Sequence, residues 1–230
     1  MLGYILFPLL SLFYQNKQTR ILMAQRLIHY SFKCFLAIMH LLGVARFELR
    51  GFEKLMDDKG VLFVANHPSL LDYVMIVSRL EYCDNIVKAS LWQNRYIKNV
   101  IQTAGYIPNI KGDQTFELIK NRLSGGHNLL LFPEGTRSTP NQALEIKRGA
   151  AQIAIRAEVS IRLIHISVSP TTLTKGEKWY EVPRQKPCFR VVIGDRLTPN
   201  DYILKYKRPS LAARAMTRDI HKALSKKDSQ

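Results

Sequence analysis

The sequence predicts a single α/β domain with a mostly parallel central sheet flanked by helices, preceded by an N-terminal helical element that associates with a membrane. From residue 47 onward, short apolar runs alternate with longer segments of helical periodicity, which is typical of a parallel sheet with crossover helices. The 230 residues suffice for one domain with a full core, and no internal repeat or low-complexity linker divides them. The first fourteen residues are apolar and uncharged, which predicts the N-terminal element.

The N-terminal element, residues 1–46, contains two apolar stretches that are too short to span a bilayer. A spanning helix needs about 20 apolar residues, whereas the uncharged runs cover only 1–14 and 34–45. The stretches are either ordinary amphipathic helices packed on the domain or a monotopic anchor whose apolar faces enter the lipid. The amount of apolar sequence favours the anchor, and the lack of a cleavage site argues against a secretory signal. We therefore expect a monotopic or peripheral protein at the cytoplasmic face of a membrane, the inner membrane in a bacterium.

The chain is strongly basic. The chain has 34 Lys and Arg against 18 Asp and Glu, a formal net charge of +16. Charge alone suits either nucleic acid or anionic lipid. No zinc-finger, helix-turn-helix or aromatic RNA-binding signature is present, and the apolar N-terminus favours anionic membrane lipid, with no nucleic acid partner. The three cysteines match no disulfide or metal-ligand spacing, so a reducing compartment and no metal are expected.

Within the α/β domain, residues 47–224, the alternation predicts a definite order of elements. Strands are expected where short runs rich in Val, Ile and Leu are bounded by polar or glycine residues, and helices where the apolar period lengthens. The predicted strands are 60–65, 84–89, 128–132, 161–167 and 188–193, and the predicted helices are 68–80, 91–104, 115–123 and 142–157. Residues 225–230 form a short basic tail that is expected to fray.

The first motif is Asn66-His67-Pro68-Ser69-Leu70-Leu71-Asp72, directly after an apolar run. Proline suits the first turn of a helix, which predicts a helix beginning at Pro68, with His67 at its cap and Asp72 in its second turn. The ring of His67 could then fold back to meet the Asp72 side chain. Asp72 would accept a hydrogen bond from one ring nitrogen and leave the other to take a proton. The alternative is a helix-capping histidine with a carboxylate beside the positive helix end.

The second motif is Phe132-Pro133-Glu134-Gly135-Thr136-Arg137-Ser138, which also follows a predicted strand. Loops at this position of α/β proteins bind ligands. Gly135 permits close approach of the main chain, and Arg137 can bind a phosphate through two parallel hydrogen bonds. The alternative is a Pro-Gly turn with a solvated arginine. No Gly-x-Ser-x-Gly sequence is present, so the histidine is expected to act directly on an acceptor hydroxyl, without a covalent enzyme intermediate.

Together, in this order and at this separation, the two motifs resemble those of the glycerolipid acyltransferase family typified by 1-acylglycerol-3-phosphate O-acyltransferases. The resemblance covers about residues 47–169. It implies transfer of an acyl group from a CoA or acyl-carrier-protein thioester to a lipid hydroxyl, lysophosphatidic acid above all, with no bound cofactor. It also implies catalysis by His67 and Asp72, and acceptor binding by Glu134, Gly135, Thr136 and Arg137. Main-chain N–H groups near Gly135 or at 68–69 are candidate donors to the oxyanion.

Two departures from the family pattern bear on the acceptor. The stretch 104–111 lacks the arginine that the family places there, and Lys111 is the candidate substitute, although lysine lacks the planar fork. The strand 161–166 lacks the family's proline. The stretch 172–180 is similar to a subgroup that accompanies aryl-polyene lipid gene clusters, which would mean a specialised lipid acceptor. A thioesterase and a non-catalytic lipid-binding or nucleic-acid-binding module are the rival hypotheses.

Overall fold

The computed structural model describes residues 7, 10, 13–109, 112–140 and 142–225, and within these ranges strands and helices alternate along most of the chain. The strands are β1 (Arg46–Arg50), β2 (Leu62–Ala65), β3 (Asp84–Lys88), β4 (Ile107–Asn109), β5 (Leu129–Leu131), β6 (Ile161–Ser169) and β7 (Cys188–Leu197). The helices are α1 (Lys17–Leu41), α2 (Asp72–Val77), α3 (Ala89–Trp92), α4 (Lys98–Thr103), α5 (Asp113–Ser124), α6 (Gly149–Ala157), α7 (Pro199–Tyr206) and α8 (Pro209–Leu224), with a 3₁₀ turn at Phe52–Leu55.

The strands form one sheet in the order β1-β7-β6-β2-β5-β3-β4. Every neighbouring pair is parallel except β6 and β7, which are antiparallel. The predicted mostly parallel sheet is therefore confirmed. Because β2 and β5 are parallel neighbours, with Val64 opposite Leu131, the chain leaves both strands at the same edge of the sheet. The two sequence motifs begin at that edge, His67 after β2 and Glu134 after β5.

The sheet is covered on both faces, which explains why β2 and β5 are apolar throughout rather than alternating. All four residues of β2 are fully buried. One face packs against α5, α6 and α8 through residues such as Leu123, Ala154 and Met216. The other face packs against the end of α1 and against α2, where Met75 and Ile76 are fully buried. The central strands therefore hold the motif loops on a rigid support.

The predicted N-terminal helical element is present as α1, a helix of 25 residues that packs against α2 and α4. Polar contacts also tie it to the sheet: the buried Gln25 donates to Asp84 Oδ1 at 2.8 Å and to the carbonyl of Ala104 at 3.0 Å. His29 Nδ1 lies 2.9 Å from the carbonyl of Val77. No helix in the described part of the chain combines the length and apolar character needed to cross a bilayer. The association of α1 with a membrane stays a prediction.

Several predicted elements differ from the structure. The helix predicted for 91–104 is two short helices, α3 and α4. The helix predicted for 142–157 begins at Gly149, because Lys147 N donates instead to the carbonyl of Pro133 in the second motif loop, at 3.1 Å. The short strands β1 and β4 were not predicted, nor were the C-terminal helices α7 and α8. Residues 226–230 of the predicted tail lie outside the described residues.

Candidate active site

The structure brings His67 and Asp72 together at the carboxyl end of β2. His67 Nδ1 lies 2.8 Å from Asp72 Oδ2, and Asp72 is fully buried while the His67 side chain keeps 20% of its exposure. Since the carboxylate oxygen accepts, Nδ1 carries the proton and Nε2 is left as the acceptor. The predicted contact between the two side chains is therefore present.

The predicted local geometry is wrong, however, because α2 begins at Asp72 rather than at Pro68. Asp72 Oδ2 accepts from Ser69 N at 2.7 Å, and Oδ1 accepts from the Ser69 hydroxyl at 2.7 Å. The Ser69 oxygen in turn accepts from Leu71 N at 3.1 Å. These side-chain contacts satisfy N–H groups outside a helix and fold residues 68–71 into a turn. Asp72 is therefore the first helical residue, and the turn, not a helix cap, carries His67.

The buried carboxyl of Asp72 accepts from three donors: the His67 ring, the Ser69 N–H and the Ser69 hydroxyl. Burial raises the pKa of Asp72 above its ordinary value, and these three donors oppose that rise. All three contacts are ones that an ionised carboxylate accepts well. Ser69, which is fully buried, holds the carboxylate in place for the histidine.

The second motif loop holds the main chain of His67 on both sides. Glu134 Oε1 accepts from His67 N at 2.7 Å, and Ser138 N donates to the carbonyl of His67 at 2.7 Å. The Ser138 hydroxyl also donates to Glu134 Oε2 at 2.7 Å. Burial raises the pKa of Glu134, against the donation from Ser138 and from His67. Both carboxylate oxygens of Glu134 therefore accept hydrogen bonds from the protein, and this side chain connects the two motif loops.

An aromatic side chain orients the histidine ring. Phe132 stacks on His67 with ring centroids 4.2 Å apart and an angle of 24° between the planes. The Asn66 side chain anchors the residue before the histidine, since its amide donates to the carbonyl of Ile166 and its oxygen accepts from Ile166 N, both at 2.7 Å. The ring of His67 is thus held on one face by Phe132 and at Nδ1 by Asp72.

Arg137 lies beside these loops and contacts the main chain after β6. Its Nη1 donates to the carbonyls of Leu173 and Thr174, each at 2.9 Å. Leu70 N donates to the same carbonyl of Leu173 at 3.0 Å. Part of the Arg137 guanidinium therefore serves to attach the 170–177 segment to the motif loops, a role that the sequence did not indicate.

Two cavities meet at the second motif loop. A cavity of about 690 Å³ lies between α1, α4 and the ends of β3 and β5, and His67 lines it. Its other lining is mostly apolar, including Phe7, Ile28, Phe32, Val100, Ile101 and Phe132. A second cavity, of about 1000 Å³, is lined by polar side chains that include Glu134, Ser167, Arg190 and His221. Thr136, Arg137 and Lys175 line both cavities.

The oxyanion donors proposed from the sequence are already engaged. Gly135 N donates to the carbonyl of Phe132 at 3.1 Å, and Ser69 N donates to Asp72. That expectation is therefore wrong for these two groups. Gly135 does occupy a position that favours glycine, with φ of 73°. A Cβ there would lie 3.0 Å from Lys147 Nζ, which places this cation against the loop. Lys111, the candidate substitute for the missing arginine, lies outside the described residues.

Sequence reasoning missed the side chains that position the site. Ser69 and Ser138 stand within the two quoted motifs, and their spacing from Asp72 and Glu134 offered a signal. Phe132 also stands in a motif, but nothing local indicates that its ring meets His67 from a neighbouring strand. Lys175 lines the cavity of His67 because the segment 170–177 folds against the motif loops, a contact between distant parts of the chain.

Comparisons with known proteins agree with this geometry. Residues 46–172 match the family model described as Acyltransferase. Mouse 1-acyl-sn-glycerol-3-phosphate acyltransferase alpha is 29% identical over 171 residues, which are 70% of this chain and 60% of that protein. The lyso-ornithine lipid O-acyltransferase of Brucella abortus is 31% identical over 133 residues, 53% of this chain and 49% of that protein. The chain spans about half the length of most of the curated relatives it matches.

A solved structure shares the fold. The 1-acyl-sn-glycerophosphate (LPA) acyltransferase PlsC of Thermotoga maritima superposes with a TM-score of 0.70 at 18% identity, covering 99% of this chain and 89% of that one. At this identity the likeness shows the fold alone. The match to the family model covers more than half of the 230 residues and includes both motif loops. The chain therefore belongs to the Acyltransferase family.

Proposed function

We propose that the chain transfers an acyl group from a CoA or acyl-carrier-protein thioester to the hydroxyl of a lipid acceptor, with lysophosphatidic acid as the first candidate. The observation that carries this proposal is the position of the His67–Asp72 pair, which lines a mostly apolar cavity beside the loop that bears Arg137. An apolar cavity of about 690 Å³ suits an acyl chain. The similarity to 1-acyl-sn-glycerol-3-phosphate acyltransferases also supports acyl transfer to lysophosphatidic acid.

In the proposed reaction, His67 Nε2 accepts the proton of the acceptor hydroxyl as that oxygen attacks the thioester carbonyl carbon. The tetrahedral intermediate then collapses, the C–S bond breaks, and the proton passes from His67 to the leaving thiolate. The products are an ester and a free thiol, so the reaction involves no net oxidation or reduction. Asp72 stabilises the imidazolium that forms between these steps, because its carboxylate lies 2.8 Å from Nδ1.

The second motif loop would position the acceptor. Nη1 of Arg137 is used by main-chain carbonyls, and the guanidinium lines both cavities, where a phosphate would meet it. Thr136 and Gly135 line the apolar cavity at the same place and would allow the head group to approach the main chain. Glu134 would act through the loop, since both of its oxygens accept hydrogen bonds from the protein.

A membrane surface is the proposed place of the reaction. The end of α1 leaves Leu41 84% and Leu42 71% exposed, and Val182 in the long segment before β7 is 86% exposed. These two regions are near each other, because a Cβ at Gly43 would lie 3.9 Å from Lys186 Nζ. Apolar side chains next to lysines suit the interface of an anionic membrane. The thioester donors would place this surface at the cytoplasmic face.

The membrane proposal is tested with Leu42→Ser and the matched control Leu204→Ser. Leu204 is 78% exposed on α7, which packs on the opposite face of the sheet from the end of α1. Sedimentation with vesicles that contain phosphatidylglycerol should fall for Leu42→Ser only. Equal binding by both variants would reject this surface.

Acyl transfer is tested with labelled acyl-CoA and acyl-acyl-carrier-protein, offered with lysophosphatidic acid or lyso-ornithine lipid in anionic vesicles. His67→Ala should lose turnover by several orders of magnitude and keep its fold and vesicle binding. Leu204→Ser is again the control, because Leu204 is exposed on α7 and lines neither cavity. Retained turnover in His67→Ala would refute the mechanism. Free fatty acid formed without an acceptor would indicate a thioesterase, and product with lyso-ornithine lipid alone would indicate a specialised acceptor.

A further inference from the structure

The segment between β6 and β7 forms a tight turn beside the second motif loop. Glu177 N donates to the carbonyl of Thr174 at 3.3 Å, and Glu177 Oε2 accepts from Thr174 N at 2.9 Å. Gly176 has φ of 95°, as the third residue of a type II turn requires. Thr174 is buried, whereas Lys175 at the second position is exposed. The sequence Thr-Lys-Gly-Glu therefore specifies a turn that presents a lysine.

The turn is attached to both motif loops. Arg137 Nη1 donates to the carbonyls of Leu173 and Thr174, and Leu70 N also donates to Leu173. Leu173 adopts φ of 57°, a conformation that leucine rarely takes and that its surroundings must hold. Three hydrogen bonds from the two motif loops thus fix the main chain immediately before Lys175. The position of the lysine depends on Arg137.

Lys175 lies where the two cavities meet. It lines the apolar cavity that contains His67 and also the polar cavity behind the loop, together with Thr136 and Arg137. Among the residues that the structure describes, no ion pair engages the Lys175 ammonium. Two cationic side chains therefore border the junction: Lys175, and Arg137, whose Nη1 is engaged by the main chain.

We propose that Lys175 binds a substrate phosphate at this junction, in concert with the Arg137 guanidinium. It would supply the second cation that the resemblance leads us to expect in the stretch 104–111. The ligand class is a phosphate ester of a substrate, either the head group of the acceptor or a phosphate of the thioester donor. This inference rests on the proposed acyl transfer and names the group that the site recognises.

The test compares Lys175→Ala with Lys178→Ala. Lys178 stands three residues further along, and its Nζ lies 5.6 Å from the centroid of the Tyr180 ring, outside the lining of both cavities. Losing one charge-assisted phosphate contact should raise KM for the phosphorylated substrate about 10- to 100-fold. We expect kcat to change less than about threefold, and Lys175→Arg to recover most of the loss.

The choice of substrate distinguishes the two sources of phosphate. A rise in KM for lysophosphatidic acid alone assigns the acceptor phosphate, and a rise for acyl-CoA alone assigns the donor. In the first case, Lys175→Ala and Lys178→Ala should have equal KM values for monoacylglycerol, which has no phosphate. KM values that match those of Lys178→Ala for both substrates would overturn the proposal, as would an equal loss with monoacylglycerol.

Binding without turnover separates this inference from the proposed function. Titration calorimetry with glycerol 3-phosphate and with CoA measures the phosphate site whether or not acyl transfer occurs. Wild type and Lys178→Ala should bind one of these ligands about 10- to 100-fold more tightly than Lys175→Ala. Failure of wild type to bind either ligand, or equal affinity in all three proteins, would reject the site even if turnover is found.

The dependence of Lys175 on Arg137 is tested by a double-mutant cycle. If Arg137 positions the turn, Lys175→Ala should add less than about threefold to KM in an Arg137→Ala background. A full additional 10- to 100-fold loss would show that the lysine acts independently, which contradicts the proposed coupling.

Discussion

Replacing Asp72 by asparagine separates the charge of the carboxylate from its hydrogen bonds. The side-chain carbonyl of the asparagine can accept from the His67 ring and from Ser69 N, as Oδ2 does now. Its amide would face the Ser69 oxygen, which can accept in place of donating. The histidine therefore keeps its tautomer and its orientation in Asp72→Asn, while the negative charge and the acceptor of the buried Ser69 hydroxyl proton are lost.

The structure sets the size of the effect. An imidazolium and a carboxylate whose atoms lie 2.8 Å apart attract each other by at most about 6 kcal/mol at an effective dielectric constant of about 20. The neutral hydrogen bond that remains contributes about 1 kcal/mol. The imidazolium forms only as the reaction proceeds, so the loss falls on the transition state. We expect kcat of Asp72→Asn to fall between about 100- and 5,000-fold, the upper figure corresponding to the full difference of about 5 kcal/mol and the lower to partial screening by solvent.

The stability of Asp72→Asn depends on the pKa of Asp72 and on the hydrogen bonds of its carboxyl, not on the reaction. Burial raises the folded-state pKa of Asp72 above the value of the unfolded chain, so its ionisation lowers stability as pH rises through the interval between the two values. Because asparagine does not ionise, Asp72→Asn removes that loss but also the acceptor of one buried hydroxyl, so it should melt near the temperature of wild type at pH 7. Asp72→Ala leaves all the donors of Ser69 and His67 unsatisfied and should melt lower.

The assay is single-turnover acyl transfer at saturating acceptor, together with thermal melting of the same preparations. A loss in rate below tenfold for Asp72→Asn would refute the use of the carboxylate charge in the reaction. A large loss in rate accompanied by a fall in melting temperature would show that the substitution disturbs the turn at 68–71, and the rate would then say nothing about charge.

Three further results are expected. Burial raises the pKa of Glu134, so ionisation of this carboxyl should lower the free energy of unfolding of the wild type as pH rises. Urea unfolding of Glu134→Gln between pH 4 and pH 7 should lack that contribution. A pH profile identical to that of the wild type would contradict this. Phe132→Ala should lower kcat about tenfold by removing the stack on His67, while Phe132→Leu, which keeps apolar bulk, should retain part of the rate in the same assay. Gly135→Ala should destabilise the protein by about 1–2 kcal/mol in urea unfolding because its φ of 73° disfavours a side chain; a loss below about 0.5 kcal/mol would contradict that reason.

The sequence was sufficient for the architecture and for the contact between His67 and Asp72. The alternation of short apolar runs with helical segments predicted the parallel sheet, and two motifs that each follow an apolar run predicted the site. The prediction that a helix begins at Pro68 was wrong. The Asp72 carboxylate accepts hydrogen bonds from Ser69, and these side-chain contacts favour a turn over a helix at 68–71. His67 and Asp72 meet through that turn, so the correct pairing was reached through an incorrect local structure.

The missed parts depend on contacts between distant segments. β1 pairs with β7 about 140 residues later, and β4 has only three residues at the edge of the sheet, so neither has a clear local pattern. The helices α7 and α8 could have been predicted, since Pro199 and Pro209 stand in their first turns, where proline signals a helix start. The role of Arg137 in holding the 170–177 segment required the fold, because no spacing in the chain indicates which carbonyls it meets.

Both main-chain groups of His67 are held by the opposite loop, the N–H by Glu134 and the carbonyl by Ser138. The His67 peptide is therefore held in place before any ligand arrives, and its conformational entropy is lost during folding rather than on binding. In hydrogen exchange, the amide of His67 should then be among the slowest outside the central strands, exchanging only when the two loops separate. Substrates would enter a site whose base is already rigid, and any adaptation to them would have to occur in the side chains and segments around it.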